Sequence, residues 1–283
     1  MTPMLNGFIV ANEIRMFRTV HRAKTGMIIE GGKDRRVYAK AVDLTQCEPF
    51  VAGCRRHVED AVKELKRTGE PGVLGVVDAD TDHLDGVVTA DPDLLVTETR
   101  DLEGLILATS TLKDVLIEHD LAPETFGAKP EMKVALAAAE LGYVRWVSGK
   151  RGWLLSFPED NFGKFINPRT LNCNSRAMCT EIAAKNRHCA GITATQIEQE
   201  LVNAKALNHD PLKVARGHDV TAILAWAIRK LTKKERKDGA FVDSGLIETH
   251  LRLTYTRESF KNTSLFKALK DWEGRNAPYT VLL

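Results

Sequence analysis

The chain contains the stretch Gly75-Val76-Val77-Asp78-Ala79-Asp80-Thr81-Asp82, in which three acidic residues follow an apolar run. In an extended chain, residues two positions apart project to the same side, so the three carboxylates are expected to aim at one point. A second apolar run, Met27-Ile28-Ile29, ends at Glu30. If the two runs are neighbouring parallel strands, Glu30 and the aspartates meet at the carboxyl edge of one sheet, where open α/β sheets hold their sites.

Short apolar runs alternate with amphipathic segments through the first part of the chain. The runs predict strands at residues 27–30, 48–52, 73–77 and 94–97, and the segments predict helices at 33–42, 57–67 and 102–116. This β-α-β-α-β order predicts an α/β fold, with a mostly parallel sheet and flanking helices.

The pattern changes after about residue 120 and becomes mainly helical. The exception is 144–157, where Trp146 and Trp153 flank a glycine-containing turn and a β-hairpin is expected. We therefore predict two domains, an α/β domain over residues 1–140 and a mainly helical domain over 141–283.

The amino-acid composition and the short apolar runs indicate which class of protein this chain belongs to. Of the 283 residues, 43% are hydrophobic and 28% are charged, which is ordinary for a globular protein. No apolar run approaches the roughly 18 residues of a membrane helix, and no secretory signal is recognisable. The five cysteines form no C-x-x-C pair, which favours reduced thiols over a zinc or disulfide framework. A cytoplasmic protein with no membrane contact is expected.

Charge is unevenly distributed, with an acidic excess before residue 150 and a basic excess after it. A basic half fits a polyanionic partner, although a solvated surface explains it equally well. The densest basic run covers residues 229–237, and its cations are candidates for contacting a nucleic-acid backbone: Lys230, Lys233, Lys234 and Arg236. The alternative is a charged helix end stabilised by the helix dipole.

The acidic stretch fits one kind of chemistry better than others. An EF-hand needs glycine at its sixth position, where this chain has His83, and neither a G-x-G-x-x-G motif nor a P-loop is present. Clustered carboxylates without His or Cys suit hard cations, Mg²⁺ or Mn²⁺, which support phosphodiester cleavage or phosphoryl transfer. A structural role, with the aspartates forming turns and helix caps, remains the alternative.

Three stretches resemble motifs of the TOPRIM fold, which topoisomerases, bacterial primases, OLD-family nucleases and small RNA-processing nucleases share. They are Ile28-Ile29-Glu30-Gly31-Gly32-Lys33-Asp34, Val76-Val77-Asp78-Ala79-Asp80-Thr81-Asp82 and Val96-Thr97-Glu98-Thr99-Arg100-Asp101-Leu102-Glu103. The third is similar to a stretch of stand-alone TOPRIM-like proteins encoded beside ABC-type ATPases, a group that includes the effector subunit of PARIS-type anti-phage systems. The resemblance covers roughly residues 25–110.

The resemblance implies a Mg²⁺-dependent nuclease that an ABC-type ATPase partner holds inactive until infection, with transfer RNA as substrate and arrested translation as outcome. Glu30, Asp78 and Asp80 would be the catalytic and metal-site residues. Asp82 would be a further ligand, and Glu103 or the nearby Asp101 would complete the site from the next helix. Lys33 would meet a phosphate, unless it is only a solvated lysine at the start of a helix.

Two other functions remain open at this stage. One is a TOPRIM nuclease that acts on DNA, and the other is a non-catalytic binding subunit of an ATPase complex. Oligomeric state is also open, with a homodimer as one arrangement because symmetric dimers are common.

Overall fold

The structure is a computed structural model that describes residues 6–109, 111–189, 191–232 and 242–283. The first part of the chain forms a parallel sheet. Its four strands are β1 (Thr25–Ile29), β2 (Cys47–Val51), β3 (Val73–Val77) and β4 (Leu94–Val96). They lie in the order β2-β1-β3-β4, and every neighbouring pair is parallel. The predicted α/β class and the predicted parallel sheet are confirmed.

Helices make up most of the remaining described chain. They are α1 (Gly7–Val20), α2 (Gly32–Tyr38), α3 (Arg55–Arg67), α4 (Asp82–Asp85), α5 (Leu102–Leu107), α6 (Thr111–Glu118), α7 (Pro130–Arg151), α8 (Ser175–Lys185), α9 (Ala194–Lys205), α10 (Pro211–Val214), α11 (Gly217–Thr232), α12 (Ser244–Thr254), α13 (Arg257–Lys261) and α14 (Ser264–Arg275). A short 3₁₀ helix covers Phe162–Lys164. The single helix predicted at 102–116 is two helices, α5 and α6.

The chain forms two compact units. The first holds the sheet and comprises the chain through Ala79, then Gly86–Glu98 and Tyr255–Leu283; the second comprises Asp80–Asp85 and Thr99–Thr254. The predicted domains, 1–140 and 141–283, stay a prediction. The compact units divide the chain elsewhere, because helices α13 and α14 return to the unit that holds the sheet.

Strands β1 and β3 are buried along their whole length, as expected of central strands in a parallel sheet that is covered on both faces. Helix α3 packs closely on β3 at Gly75, where an added Cβ would lie 2.7 Å from Val58 Cγ1. Val10 and Ile14 of α1 join the same core and are fully buried. This packing explains why the apolar runs were recognisable as strands from the sequence.

The C-terminal segment completes the first unit through hydrogen bonds. Glu98, from the third TOPRIM-like stretch, accepts bonds from the backbone N–H groups of Ser264 (2.8 Å) and Leu265 (3.0 Å) at the start of α14. A carboxylate at a helix N-terminus satisfies donors that the helix leaves unpaired. Farther along, the Asp43 N–H donates to the carbonyl of Val281 at 2.8 Å. Glu98 therefore has a structural role in this fold.

The hairpin predicted at 144–157 is wrong, because helix α7 runs through Arg151 and ends where Gly152 adopts a left-handed φ of 65°. Trp146 is part of this helix and is buried. Helix α7 packs against α9, α10 and α11 in the second unit, so it is apolar around much of its circumference. A helix buried on several sides lacks the one-sided pattern that identifies helices in sequence.

No helix in the described segments combines the length and the apolar character needed to cross a membrane.

Candidate active site

Glu30 and Asp78 follow the carboxyl ends of β1 and β3, which are parallel neighbours with Ile29 paired to Val76. The predicted adjacency of these two strands is confirmed. The Glu30 Oε1 atom accepts a hydrogen bond of 2.8 Å from the backbone N–H of Asp78. Both side chains are half-buried. The bond fixes the Glu30 carboxylate at the tip of β3, beside the first aspartate of the acidic stretch.

The turn after Glu30 is closed by a second carboxylate. The backbone N–H of Gly31 donates to Asp34 Oδ2 at 2.7 Å, and Asp34 lies in the first turn of α2. A carboxylate there favours the positive end of the helix dipole. Lys33, in the same turn, is exposed. Its predicted contact with a phosphate stays a prediction.

The Tyr38 phenol, at the end of α2, is influenced by three carboxylates of the first unit. Its ring is buried, with 3% of its surface exposed. Burial raises the pKa of the Tyr38 phenol well above its ordinary value, and the negative charges of Asp78, Asp34 and Glu30 raise it further. Crowded carboxylates of this kind repel one another unless a cation neutralises them.

Arg55 holds the backbone that follows β3. Its Nη1 atom donates to the carbonyl oxygens of Asp78 (3.1 Å) and Ala79 (3.4 Å), and its Nε donates to Glu59 at 2.7 Å. On the other side, the Ala79 N–H donates to Thr97 Oγ1 at 3.0 Å. The sequence interpretation missed Arg55. Its place just after β2, at the same sheet edge as Glu30, was the available signal.

The strand predicted at 73–77 matches β3, but the extended backbone that was expected to align Asp78, Asp80 and Asp82 is not present. Strand β3 ends at Val77, Asp80 adopts a left-handed φ of 50°, and Asp82 begins helix α4. The Asp80 N–H donates to the carbonyl of Arg100 at 2.7 Å, which holds this turn. Alternation of side chains applies only to extended backbone, so spacing does not align the three aspartates. Their proposed roles as ligands stay predictions.

Asp101 and Glu103 lie at the start of α5, in the second unit. Asp101 is buried and uses both carboxylate oxygens, accepting from Gly104 N–H at 2.9 Å and from Gly217 N–H at 2.6 Å. Glu103 packs so close to Gly217 that an added Cβ there would lie 2.4 Å from Glu103 Cβ. Asp101 therefore joins the starts of α5 and α11, and the predicted metal role of Glu103 stays a prediction.

Burial, and after it the neighbouring Asp101 carboxylate, raise the pKa of Glu103 to about 7. Because the folded pKa lies above that of the unfolded chain, folding favours the protonated acid, and stability falls as pH rises from about 4.5 to about 7. In metal-free buffer, Glu103→Gln should therefore stabilise the protein by about 3 kcal/mol at pH 8 and change little at pH 4. Urea unfolding of both proteins at the two pH values measures this. An equal difference in unfolding free energy between the two proteins at pH 4 and at pH 8 would contradict a raised pKa of Glu103.

The carboxylate oxygens of this site are the type of ligand that a hard cation such as Mg²⁺ prefers. Mg²⁺ is commonly held by one or two carboxylates, with waters and substrate phosphates completing its coordination. Glu30 and Asp78 supply two carboxylates where the neighbouring strands β1 and β3 end. Within residues 6–109, 111–189, 191–232 and 242–283, no group of three or more His, Cys, Asp or Glu side chains is arranged to hold a metal ion. The fit therefore rests on this pair.

The predicted nucleic-acid contacts are only partly described. Lys230 is exposed near the end of α11. Lys233, Lys234 and Arg236 lie outside the described residues. Their contact with a nucleic-acid backbone stays a prediction.

Comparison with protein families and with curated proteins found no match. No protein-family model matches the chain, and no curated protein is similar enough to count as a match.

Proposed function

We propose that the chain is a metal-dependent nuclease that hydrolyses phosphodiester bonds at the site of Glu30 and Asp78. One observation carries the proposal: the Glu30 carboxylate is bonded to the backbone of Asp78 where two adjacent parallel strands end. Sites at this edge are typical of open α/β sheets. Asp80, Asp82 and Glu103 are proposed as further ligands on the resemblance to TOPRIM proteins.

The residues of the site have separable tasks. Glu30 and Asp78 would hold Mg²⁺ or Mn²⁺, and Arg55 would position them by fixing the carbonyl oxygens of Asp78 and Ala79. When bound, such a cation polarises the phosphate, favours a hydroxide nucleophile and stabilises the leaving oxygen. The carboxylates also repel anions from this edge of the sheet, so the substrate phosphate would bind together with a cation.

The biological role is proposed on the resemblance and on charge. We infer that the nuclease is the effector of a bacterial anti-phage system, cytoplasmic, and held inactive by an ABC-type ATPase partner. Transfer RNA is the proposed substrate, and the basic excess of the second half of the chain supports a polyanion.

Purified protein, separated from any partner, tests the proposal. It is incubated with a transfer RNA pool and with plasmid DNA, each with Mg²⁺, Mn²⁺ or a chelator. Cleavage of the RNA pool that the chelator abolishes is the expected result. Cleavage of plasmid alone would favour the DNA nuclease, and cleavage of neither substrate would favour the binding subunit.

Asp78→Asn is the matched variant for this assay. The Asp78 N–H that donates to Glu30 and the Asp78 carbonyl that accepts from Arg55 are main-chain groups, so the substitution keeps both of these bonds while it removes one negative charge. We expect cleavage to fall by about 100-fold or more, as for a disturbed metal site. If this variant retains full activity, the Asp78 carboxylate has no part in the reaction.

A further inference from the structure

A cavity of about 450 Å³ is lined by residues of α7, of α9 and by Leu207, all within the second unit. Its apolar lining consists of Trp146, Val147 and Ala204, which are buried, and of Leu207, which is exposed. Cavities of roughly 300–1,000 Å³ that combine an apolar lining with a few polar groups are typical of small-molecule sites. The size and lining of this cavity therefore suit a small organic ligand.

An aromatic ring in this cavity is held in one orientation. The Trp146 Nε1 atom donates to Asp85 Oδ1 at 3.0 Å, and Lys150 Nζ lies 2.9 Å from the same oxygen. Lys150 Nζ also lies 4.4 Å from the centre of the Trp146 ring. Because ion pairs of exposed side chains contribute little stability, the exposed Lys150 can turn away from this ring face. A flat ligand can then stack on the indole.

Two cations lie beside the ring at the end of α7. Lys150 is one, and Arg151 is the other; both side chains are more than half exposed. The Arg151 Nη2 atom donates to Glu200 Oε1 at 2.5 Å, which positions the guanidinium at the cavity. A guanidinium has several N–H donors, and both Arg and Lys recognise phosphate. The cavity thus combines an aromatic face with a place for a phosphate.

The remaining polar groups of the lining distinguish between classes of ligand. The Asn203 amide offers a donor and an acceptor, and the Glu200 carboxylate accepts. Nucleobases carry both donors and acceptors on their edges, and proteins hold single bases by stacking them on aromatic side chains. An inorganic anion would leave the apolar lining unfilled, and a hydrocarbon chain would leave the polar groups unused. The combination favours a base joined to a phosphate.

We propose that this cavity binds one nucleotide unit, with the base stacked on Trp146 and the phosphate held by Lys150 and Arg151. On binding, Lys150 exchanges the Asp85 carboxylate for the phosphate and uncovers the ring. A free mononucleotide and one residue of a single-stranded nucleic acid present the same base and phosphate, so both are sources of this chemistry. Binding here requires neither a metal ion nor hydrolysis at Glu30 and Asp78, so the two proposals fail independently.

Calorimetric titration of the full chain in buffer with a chelator tests the proposal. The probes are the 5′-monophosphates of adenosine, guanosine, cytidine and uridine, the corresponding nucleosides, and a single-stranded RNA tetranucleotide. At least one monophosphate is expected to bind about tenfold or more tightly than its nucleoside, because only the monophosphate reaches the cations. Lys150→Gln should weaken that binding by about tenfold. Lys133→Gln, at an exposed lysine of the same helix, is the matched control and should bind as the parent does.

Tryptophan fluorescence locates the base. The bound monophosphate should quench the fluorescence of the parent, and Trp146→Phe, which keeps an aromatic face, should abolish the quenching. Tighter binding of the tetranucleotide than of any monophosphate supports the site and identifies a nucleic acid as the source. Equal or tighter binding of a monophosphate supports the site and identifies a free nucleotide.

Three results would overturn the proposal. They are the absence of binding by every probe up to about 5 mM, equal binding by the parent and Lys150→Gln, and quenching that persists in Trp146→Phe. If Trp146→Phe fails to fold, the comparison of Lys150→Gln with Lys133→Gln decides, because both substitutions are at exposed lysines of α7.

Discussion

Glu30→Gln is expected to lower Mg²⁺-dependent cleavage by at least about 100-fold while leaving the fold intact. The substitution removes the negative charge, but a glutamine oxygen still accepts the hydrogen bond that Asp78 N–H donates to Glu30 Oε1. Loss of activity would then result from the lost negative charge of residue 30, because the hydrogen bond that fixes the end of β3 is kept. The measurement is the initial cleavage rate of the transfer RNA pool at saturating Mg²⁺, with urea unfolding of the same preparations.

Two further variants serve as comparisons for this experiment. Glu13→Gln, at an exposed glutamate of α1 in the same unit, should leave the cleavage rate unchanged. Glu30→Ala should lose activity too, and should also be destabilised by about 1 kcal/mol because the Asp78 N–H loses its acceptor. If Glu30→Gln cleaves at the parental rate, the carboxylate has no part in the reaction, and the nuclease proposal loses its central residue.

The juxtaposition of Glu30 and Asp78 could be predicted because it depends on strand order. Apolar runs buried on both faces are recognisable in sequence, and a β-α-β order makes parallel neighbours the expected arrangement. The course of the backbone through Asp78, Asp80 and Asp82 could not be predicted. It depends on where β3 stops and on the left-handed φ of 50° at Asp80, and a short run of acidic residues specifies neither.

Long-range contacts account for most of the other differences. The C-terminal part of α7 was not predicted because the helix is buried on several sides, and α14 joins the first unit through bonds to Glu98, 166 residues earlier in the chain. The ring nitrogens of His119 and His250 lie 3.2 Å apart although 131 residues separate them in the chain. Sequence periodicity reports how one segment faces the core, but it does not report which distant segment lies opposite.

Gly142→Ala is expected to destabilise the second unit by about 3 kcal/mol, which is a large effect for adding one methyl group. A Cβ at Gly142 of α7 would lie 2.2 Å from the carbonyl oxygen of Val214 and 2.9 Å from its carbonyl carbon. The clash is with backbone, which cannot rotate away as a side chain can. That carbonyl also accepts a 2.7 Å hydrogen bond from the buried Arg100 Nη1, so moving it would strain a charged contact as well.

Gly149→Ala supplies the opposite case on the same helix. Nothing lies within 4 Å of a Cβ at Gly149, and the residue is exposed. Because alanine loses less backbone entropy than glycine on entering a helix, this variant should be stabilised by about 0.5 kcal/mol. Urea unfolding of the two variants thus tests the packing of α7 with the helix propensity of the substitution held constant. If both substitutions shift the midpoint in the same direction, α7 does not approach Val214 as closely as the structure has it.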